Sequence, residues 1–307
     1  MRRRPWRPVV VALAALALLA AMAVAWLASG RMPVEWGAAA ILHPWRRPVT
    51  VVPRLPFQVV TFSSGSERLE GWLFRGDGKR RGLIVFLHGI ADNRQSGIGV
   101  ADRMLRRGYD VFTFDARAHG RSSGSACTYG YHERHDVSRA LDALGASRAI
   151  LVGHSLGAAV ALQAAAGDER VTAVVAASAF SDLPTIVRER ARWFHLPERY
   201  VEAVLVRAGE EEHFSAWDAS PVVLADRITV PVLLLHGAAD RKTPSAHSQR
   251  IHAALHGPRR LVVLPGVGHD EILGREEAWR EIESFLGGLE VPSLPATPPG
   301  SPRSGRR

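Results

Sequence analysis

Only one cysteine, Cys127, occurs in the 307 residues. That scarcity excludes an intramolecular disulfide and a cysteine-rich zinc site, because each needs further thiols. No segment repeats at a fixed period, which excludes a solenoid or array. A stripe of basic side chains interleaved with aromatics is also missing, although the formal net charge is +9. Arg2, Arg3, Arg4, Arg7, Arg303, Arg306 and Arg307 carry much of that charge and leave only +2 for residues 31–290. The basicity belongs to the tails, so no nucleic-acid partner is expected. His132, His135, His252 and His256 have spacings that allow helical pairs, but no carboxylate-rich signature accompanies them. They read as solvated positions, and neither metal nor cofactor is expected.

What is present begins with an apolar run without charge, residues 9–28, long enough at helical rise to cross about 30 Å of hydrocarbon. The arginines before it place the N-terminus in the cytoplasm and the rest of the chain on the far side, with Trp6 and Trp26 near the two interfaces. Residues 1–30 therefore read as a single-pass membrane anchor. The second reading is a signal peptide cleaved near Ala28-Ser29-Gly30, which releases a secreted protein. Residues 31–56, with Trp36, Trp45 and five prolines, read as an extended connector lying on the body or on the membrane surface. Residues 291–307 are rich in Pro, Ser and Arg and too poor in apolar side chains to pack, so they read as a disordered tail.

Between these ends, strand and helix signals alternate. Runs at 58–62 and 69–74 flank Ser63-Ser64-Gly65-Ser66 and predict an antiparallel hairpin at a sheet edge. Continuous apolar runs at 83–87, 111–114, 149–152, 171–177, 230–235 and 260–264 read as buried strands. Helical spacing falls between them, near 100–105, 133–144, 158–166, 245–255 and 275–286. The pattern predicts one α/β domain over residues 57–290, a mostly parallel sheet with helices on both faces. Residues 182–220 interrupt it as a cap, with Trp193, Phe194, Leu196, Tyr200, Val201, Val204 and Leu205 able to roof a pocket. Glu210-Glu211-Glu212 reads as a polar turn.

The chemistry centres on Gly153-His154-Ser155-Leu156-Gly157, a strand turning at once into a helix. A serine at such a turn is held in a strained conformation, and side chains two residues either side would collide unless they were glycine. Chance supplies this pattern in roughly one chain in six of this length, so its surroundings decide. A serine hydroxyl needs a base, and the base needs an orienting acid. Asp240 follows the strand ending in His236-Gly237, and Pro265-Gly266-Val267-Gly268 presents His269 beyond another strand. Reactive groups in open α/β sheets collect outside the carboxyl ends of strands, where all three residues fall. Asp218 and Asp226 precede the 230–235 strand and read as surface or cap residues, while Asp270 is too close in sequence to bond the His269 ring. The turn His88-Gly89-Ile90 follows the 83–87 strand, and the backbone N–H groups of Ile90 and Leu156 are the expected oxyanion donors. His88, His154 and His236 read as loop supports, as do Asp115, His119 and Arg121.

With these blocks in order, the chain resembles the α/β-hydrolase superfamily over roughly residues 57–287. The matching blocks are His88-Gly89, Asp115-Ala116-Arg117-Ala118-His119-Gly120-Arg121-Ser122, the Ser155 pentapeptide, His236-Gly237-Ala238-Ala239-Asp240, and Gly266-Val267-Gly268-His269. Leu42-His43-Pro44-Trp45-Arg46-Arg47 after an apolar helix, and Thr128-Tyr129-Gly130-Tyr131 before Asp136, resemble membrane-anchored short-cap members of lysophospholipase, monoacylglycerol lipase and depalmitoylase type. Such chains often carry a serine aminopeptidase-like label, which reflects shared fold motifs. The resemblance implies ester or thioester cleavage on lipid-like or lipidated substrates. A peptidase or amidase and a catalytically silent binding protein are the alternatives. Carbonate extraction of membranes separates the two readings of the N-terminus. An anchored chain stays in the pellet, whereas a shortened protein in the supernatant rules the anchor out.

Overall fold

The computed structural model describes residues 16–18, 33–76 and 80–289. Apart from residues 16–18, the predicted anchor at 9–28 and the predicted tail at 291–307 lie outside the described residues. No helix among the described residues is long and apolar enough to cross a membrane.

Runs of Val, Ile, Leu and Phe too short for helices become eight strands of one sheet. Strands β1 (Gln58–Ser64) and β2 (Glu67–Phe74) form the predicted hairpin, closed over Gly65-Ser66. Gly65 takes φ 61°, a conformation that a glycine adopts without steric cost. Strands β3 (Gly82–Leu87), β4 (Tyr109–Phe114), β5 (Ala149–His154), β6 (Val171–Ala177), β7 (Val232–Gly237) and β8 (Arg259–Leu264) run parallel, and β2 joins them antiparallel to β4. The order across the sheet is β1-β2-β4-β3-β5-β6-β7-β8. All residues of β4 and β7 are buried, which is why apolar side chains dominate both faces of these strands instead of alternating with exposed polar ones. The edge strand β8 keeps much of its surface open.

Among the described residues from 33 onward, the helices are α1 (Val34–Leu42), α2 (Ile98–Leu105), α3 (Glu133–Leu144), α4 (Leu156–Ala165), α5 (Leu183–Trp193), α6 (Glu198–Glu211), the short α7 (Pro221–Leu224), α8 (Ala246–Ala254) and α9 (Glu276–Gly287). Val100 and Met104 of α2 and Trp279 and Ile282 of α9 join Ile84 and Phe86 of β3 in the core on one face of the sheet. Val85 and Leu87 point the other way, into a core shared with α3, α4 and α8. Every residue of α4 is buried, and its alanines let it lie close to the sheet. Local signals set the helix ends. Gly145 closes α3 in a left-handed conformation, and Asp182 opens α5 by accepting the Thr185 N–H at 2.8 Å.

Two segments differ from the sequence reading. The connector is not extended throughout, because residues 34–42 form a helix that docks on the cap. The missing side chain of Gly37 permits this approach: a Cβ there would lie 2.4 Å from Val204 Cγ2 and 2.8 Å from the Tyr200 hydroxyl. Beyond the helix, Arg46 donates to the carbonyls of Ser122 and Gly124, and the Cys127 N–H donates to Leu42 O at 2.8 Å. The connector is thereby stitched into the domain. The three glutamates also end a helix instead of forming a free turn: Glu210 and Glu211 lie in the last turn of α6, and Glu212 caps it.

Leu151 sits in the central strand with no exposed surface. Leu151→Ala is expected to lower stability by about 2–5 kcal/mol, read as a shift of the chemical denaturation midpoint. A loss below about 1 kcal/mol would mean that the centre of the sheet is not close-packed.

Candidate functional site

The sheet order places the site. Connections from β3 run to one side and those from β5 to the other, so a crevice opens between the carboxyl ends of these two strands. β5 ends at His154, and Ser155 begins the turn into α4 with φ 54° and ψ −114°. For a residue with a side chain this backbone costs roughly 1–3 kcal/mol. Its surroundings hold it there: the Ser155 N–H donates to Ala177 O at 2.8 Å, and Ser155 O accepts from the N–H groups of Ala158 and Ala159. The flanking glycines are sterically required. A Cβ at Gly153 would meet the Gly157 carbonyl oxygen at 2.3 Å, and one at Gly157 would meet Leu87 O at 2.0 Å.

His269 arrives from the loop after β8, and Asp240 from the turn after β7. Ser155 Oγ lies 2.9 Å from His269 Nε2, and His269 Nδ1 lies 2.7 Å from Asp240 Oδ2. With Asp240 ionised, Nδ1 carries the proton and donates it to the carboxylate, leaving Nε2 to accept from the serine hydroxyl. The other carboxylate oxygen, Oδ1, accepts the N–H groups of Lys242 and Thr243 at 2.9 and 2.8 Å. His236 adds a contact not foreseen from sequence. Its Nε2–H donates to Thr243 O at 2.7 Å and lies 3.2 Å from Asp240 Oδ2, while Nδ1 accepts from Ser248 Oγ at 2.6 Å. Burial opposes ionisation of Asp240, but hydrogen bonds from His236, His269 and the Thr243 N–H outweigh it and hold the carboxyl well below its ordinary range.

Above Ser155 lies the turn after β3. A Cβ at Gly89 would stand 3.5 Å from Ser155 Cβ and 3.3 Å from His154 Nδ1, so this glycine brings the main chain over the hydroxyl. The Leu156 N–H opens α4, where first-turn donors have no helical acceptor. Among the described residues no loop or side-chain acceptor takes it or the Ile90 N–H. Neutral histidines fix this turn. His88 donates from Nδ1 to Gly89 O at 2.8 Å and accepts the Ala116 N–H at Nε2 at 3.0 Å. His119 accepts the Ala91 N–H at 3.1 Å. Burial pushes both rings down, His119 to about 4, which keeps their acceptor nitrogens unprotonated. Beneath them Asp115, fully buried, accepts the N–H groups of Arg94 and Arg121. His154 donates from Nε2 to His269 O at 3.0 Å and so ties the loop carrying His269 to the strand that leads into Ser155.

Other candidates fall away on geometry. Asp218 and Asp226 are exposed, and Asp270 pairs with Lys242. Glu210 pairs with Arg207 at 3.6 Å and Glu211 with His43 at 3.7 Å, an arrangement that spends these carboxylates on structure. His154, His269 and Asp270 could bring three ligand atoms together, but each of the three already has a protein partner. A second Ser–His–Glu line, Ser181–His247–Glu189, with contacts of 2.9 Å, pins cap helix α5 to α8. Ser181 is fully buried, so no substrate reaches it. The cap's apolar side chains line a groove that faces α1, and none of Ser155, Asp240 or His269 borders it.

Two family descriptions match this chain: residues 82–210 match the alpha/beta hydrolase fold, and residues 207–297 match a TAP-like protein family. The uncharacterized protein Rv2307c of Mycobacterium tuberculosis is 29% identical over 261 residues, covering 81% of this chain and 86% of that protein. The uncharacterized protein YfhR of Escherichia coli is 26% identical over 214 residues, covering 66% of this chain and 69% of that protein. Among solved structures, the Pyrococcus furiosus esterase Pf2001 superposes with a TM-score of 0.64 at 23% identity, covering 80% of this chain and 98% of the esterase.

The Asp240 environment makes a pH prediction. A carboxyl held below its unfolded value, near 3.8, stabilises the fold fully above that value and loses the contribution as pH falls through its native one. The stability gap between wild type and Asp240→Asn should therefore be full above about pH 5 and narrow as pH drops below about 4. Denaturant titrations across this range check it, and a gap that stays constant from neutral to acid contradicts the assignment.

Proposed function

We propose that this chain, which has the α/β-hydrolase fold and matches that fold's family description over residues 82–210, is a serine hydrolase cleaving carboxylic esters or thioesters through an acyl-enzyme at Ser155. The observation that carries this reading is the unbroken hydrogen-bonded line from Ser155 Oγ through His269 to Asp240. In this reading His269 Nε2 takes the Ser155 proton as Oγ attacks the acyl carbon. The oxyanion that forms is received by the N–H groups of Ile90 and Leu156. Collapse of the tetrahedral species expels the alcohol or thiol, which takes the proton from His269. Water, deprotonated by the same nitrogen, then releases the acid and frees Ser155. Asp240 keeps the ring in its Nδ1–H tautomer and stabilises the imidazolium, and His236 is a positioning residue for that carboxylate.

Lipid-like or lipidated acyl substrates are part of the proposal. Their support is the apolar run at 9–28, read as an anchor that holds the domain beside a bilayer on the extracytoplasmic side. The membrane is thus a proposed partner and a small acyl ester or thioester the proposed substrate.

A fluorophosphonate probe should label wild type and fail to label Ser155→Ala, whose unfolding midpoint should stay near that of wild type. Turnover of an aryl ester should fall at least about 10³-fold in the variant. Labelling that survives the substitution removes Ser155 from the mechanism. A panel of esters graded by acyl length tests the substrate class: turnover confined to acetyl esters defeats the lipid part alone.

A further inference from the structure

An apolar groove of about 760 Å³ lies between helix α1 and the two cap helices. That volume falls in the range of small-molecule sites, about 300–1,000 Å³. Buried Ala191, Val201 and Val204 form its floor, and exposed Trp36 and Phe194 stand at its rim. Trp36 keeps 62% of its surface in solvent and Phe194 70%, a costly display for side chains of this size unless something apolar meets them. One cation borders the groove. Arg190 stacks on Trp193 at 4.9 Å, and among the described residues no carboxylate pairs with it. Its neighbour in the same helix, Arg188, is by contrast held by Glu198 and Glu202.

We propose that this groove binds a single long acyl chain carrying an anionic head, with the chain along the floor and the head at Arg190. Three features select that ligand. The floor offers surface to methylenes and little to hydrogen-bonding groups. The unpaired guanidinium complements a carboxylate or phosphate, which it can meet in a bidentate fashion. The groove also lies close to where such molecules dissolve: five residues separate Ala28, the end of the apolar run, from Val34 at the start of α1. Fully extended, they reach about 20 Å at most, so an anchored chain keeps α1 near the lipid surface. The site is separate from the ester-cleaving line, since no residue of that line borders it. Its occupancy therefore does not depend on catalysis.

The test uses the full chain carrying Ser155→Ala in nanodiscs of neutral phospholipid. Three photoactivatable probes of equal chain length are compared: a free fatty acid, a lysophosphatidic acid and a monoacylglycerol. At least one anionic probe should crosslink to peptides within 34–42 or 187–204, at about tenfold the yield of the neutral one. The more strongly captured of the two identifies carboxylate or phosphate as the head. Arg190→Gln should bring the anionic and neutral yields to within about twofold. Ala40 is exposed on the groove wall, so Ala40→Trp should fill the groove and cut crosslinking about tenfold. Adducts that map elsewhere in the unblocked chain overturn the proposal even if Ala40→Trp fails to fold. Equal capture of neutral and anionic probes, or capture indifferent to a folded Ala40→Trp, overturns it as well.

Discussion

Everything at this site depends on one close approach, the first turn of α4 against the end of β3. At Gly157 there is room for no atom beyond the backbone, since a Cβ would sit 2.0 Å from Leu87 O. Gly153 faces the same restriction from the other side of the turn. Ser155 is wedged between these contacts with φ 54°, and its N–H is held by Ala177 O on the neighbouring strand. The close approach fixes three things together. It aims Oγ out of the sheet, brings the Leu156 N–H to the same crevice, and sets β3 where its following turn passes above the hydroxyl. Strain at one residue is tolerable because the largely buried strands on both sides determine its backbone.

The polar groups around that wedge form a graded support. Asp240 is held ionised by more donors than its partner histidine supplies, His236 among them. Its position therefore does not depend on His269 alone. On the opposite side of Ser155, His88 and His119 do the reverse. Burial keeps them neutral, and each spends its acceptor nitrogen on a backbone N–H that shapes the turn carrying Ile90. The same residue type thus serves as proposed base, carboxylate partner and loop brace, each in a different local environment.

Much of the fold was legible because its signals are local. Continuous apolar strands, the Gly65 turn and the Gly145 stop each follow from backbone preferences within a few residues. Ser155, Asp240 and His269 were legible for a related reason, since each follows a readable strand and so falls at its carboxyl end. Less visible were contacts made by chain closure. His236 reaches Asp240 only because the 240–243 turn folds back on the end of β7, and nothing in the spacing reveals that. Helix α1 was hidden by the prolines around it, although none falls within residues 34–42. Its docking depends on a vacancy at Gly37 facing Val204, a pairing across the chain that periodicity does not report. The direction of the cap's apolar face was missed along with it, because α1 is the wall that face meets.

The measurement closest to the proposed chemistry is rapid-quench mass spectrometry of the wild-type chain mixed with excess aryl ester. An acyl-enzyme mechanism predicts a burst of about one phenol per chain when deacylation is the slower step, accompanied by a single acyl adduct that maps to Ser155. Turnover accompanied by an adduct on another residue, or undiminished turnover by Ser155→Ala, would contradict it.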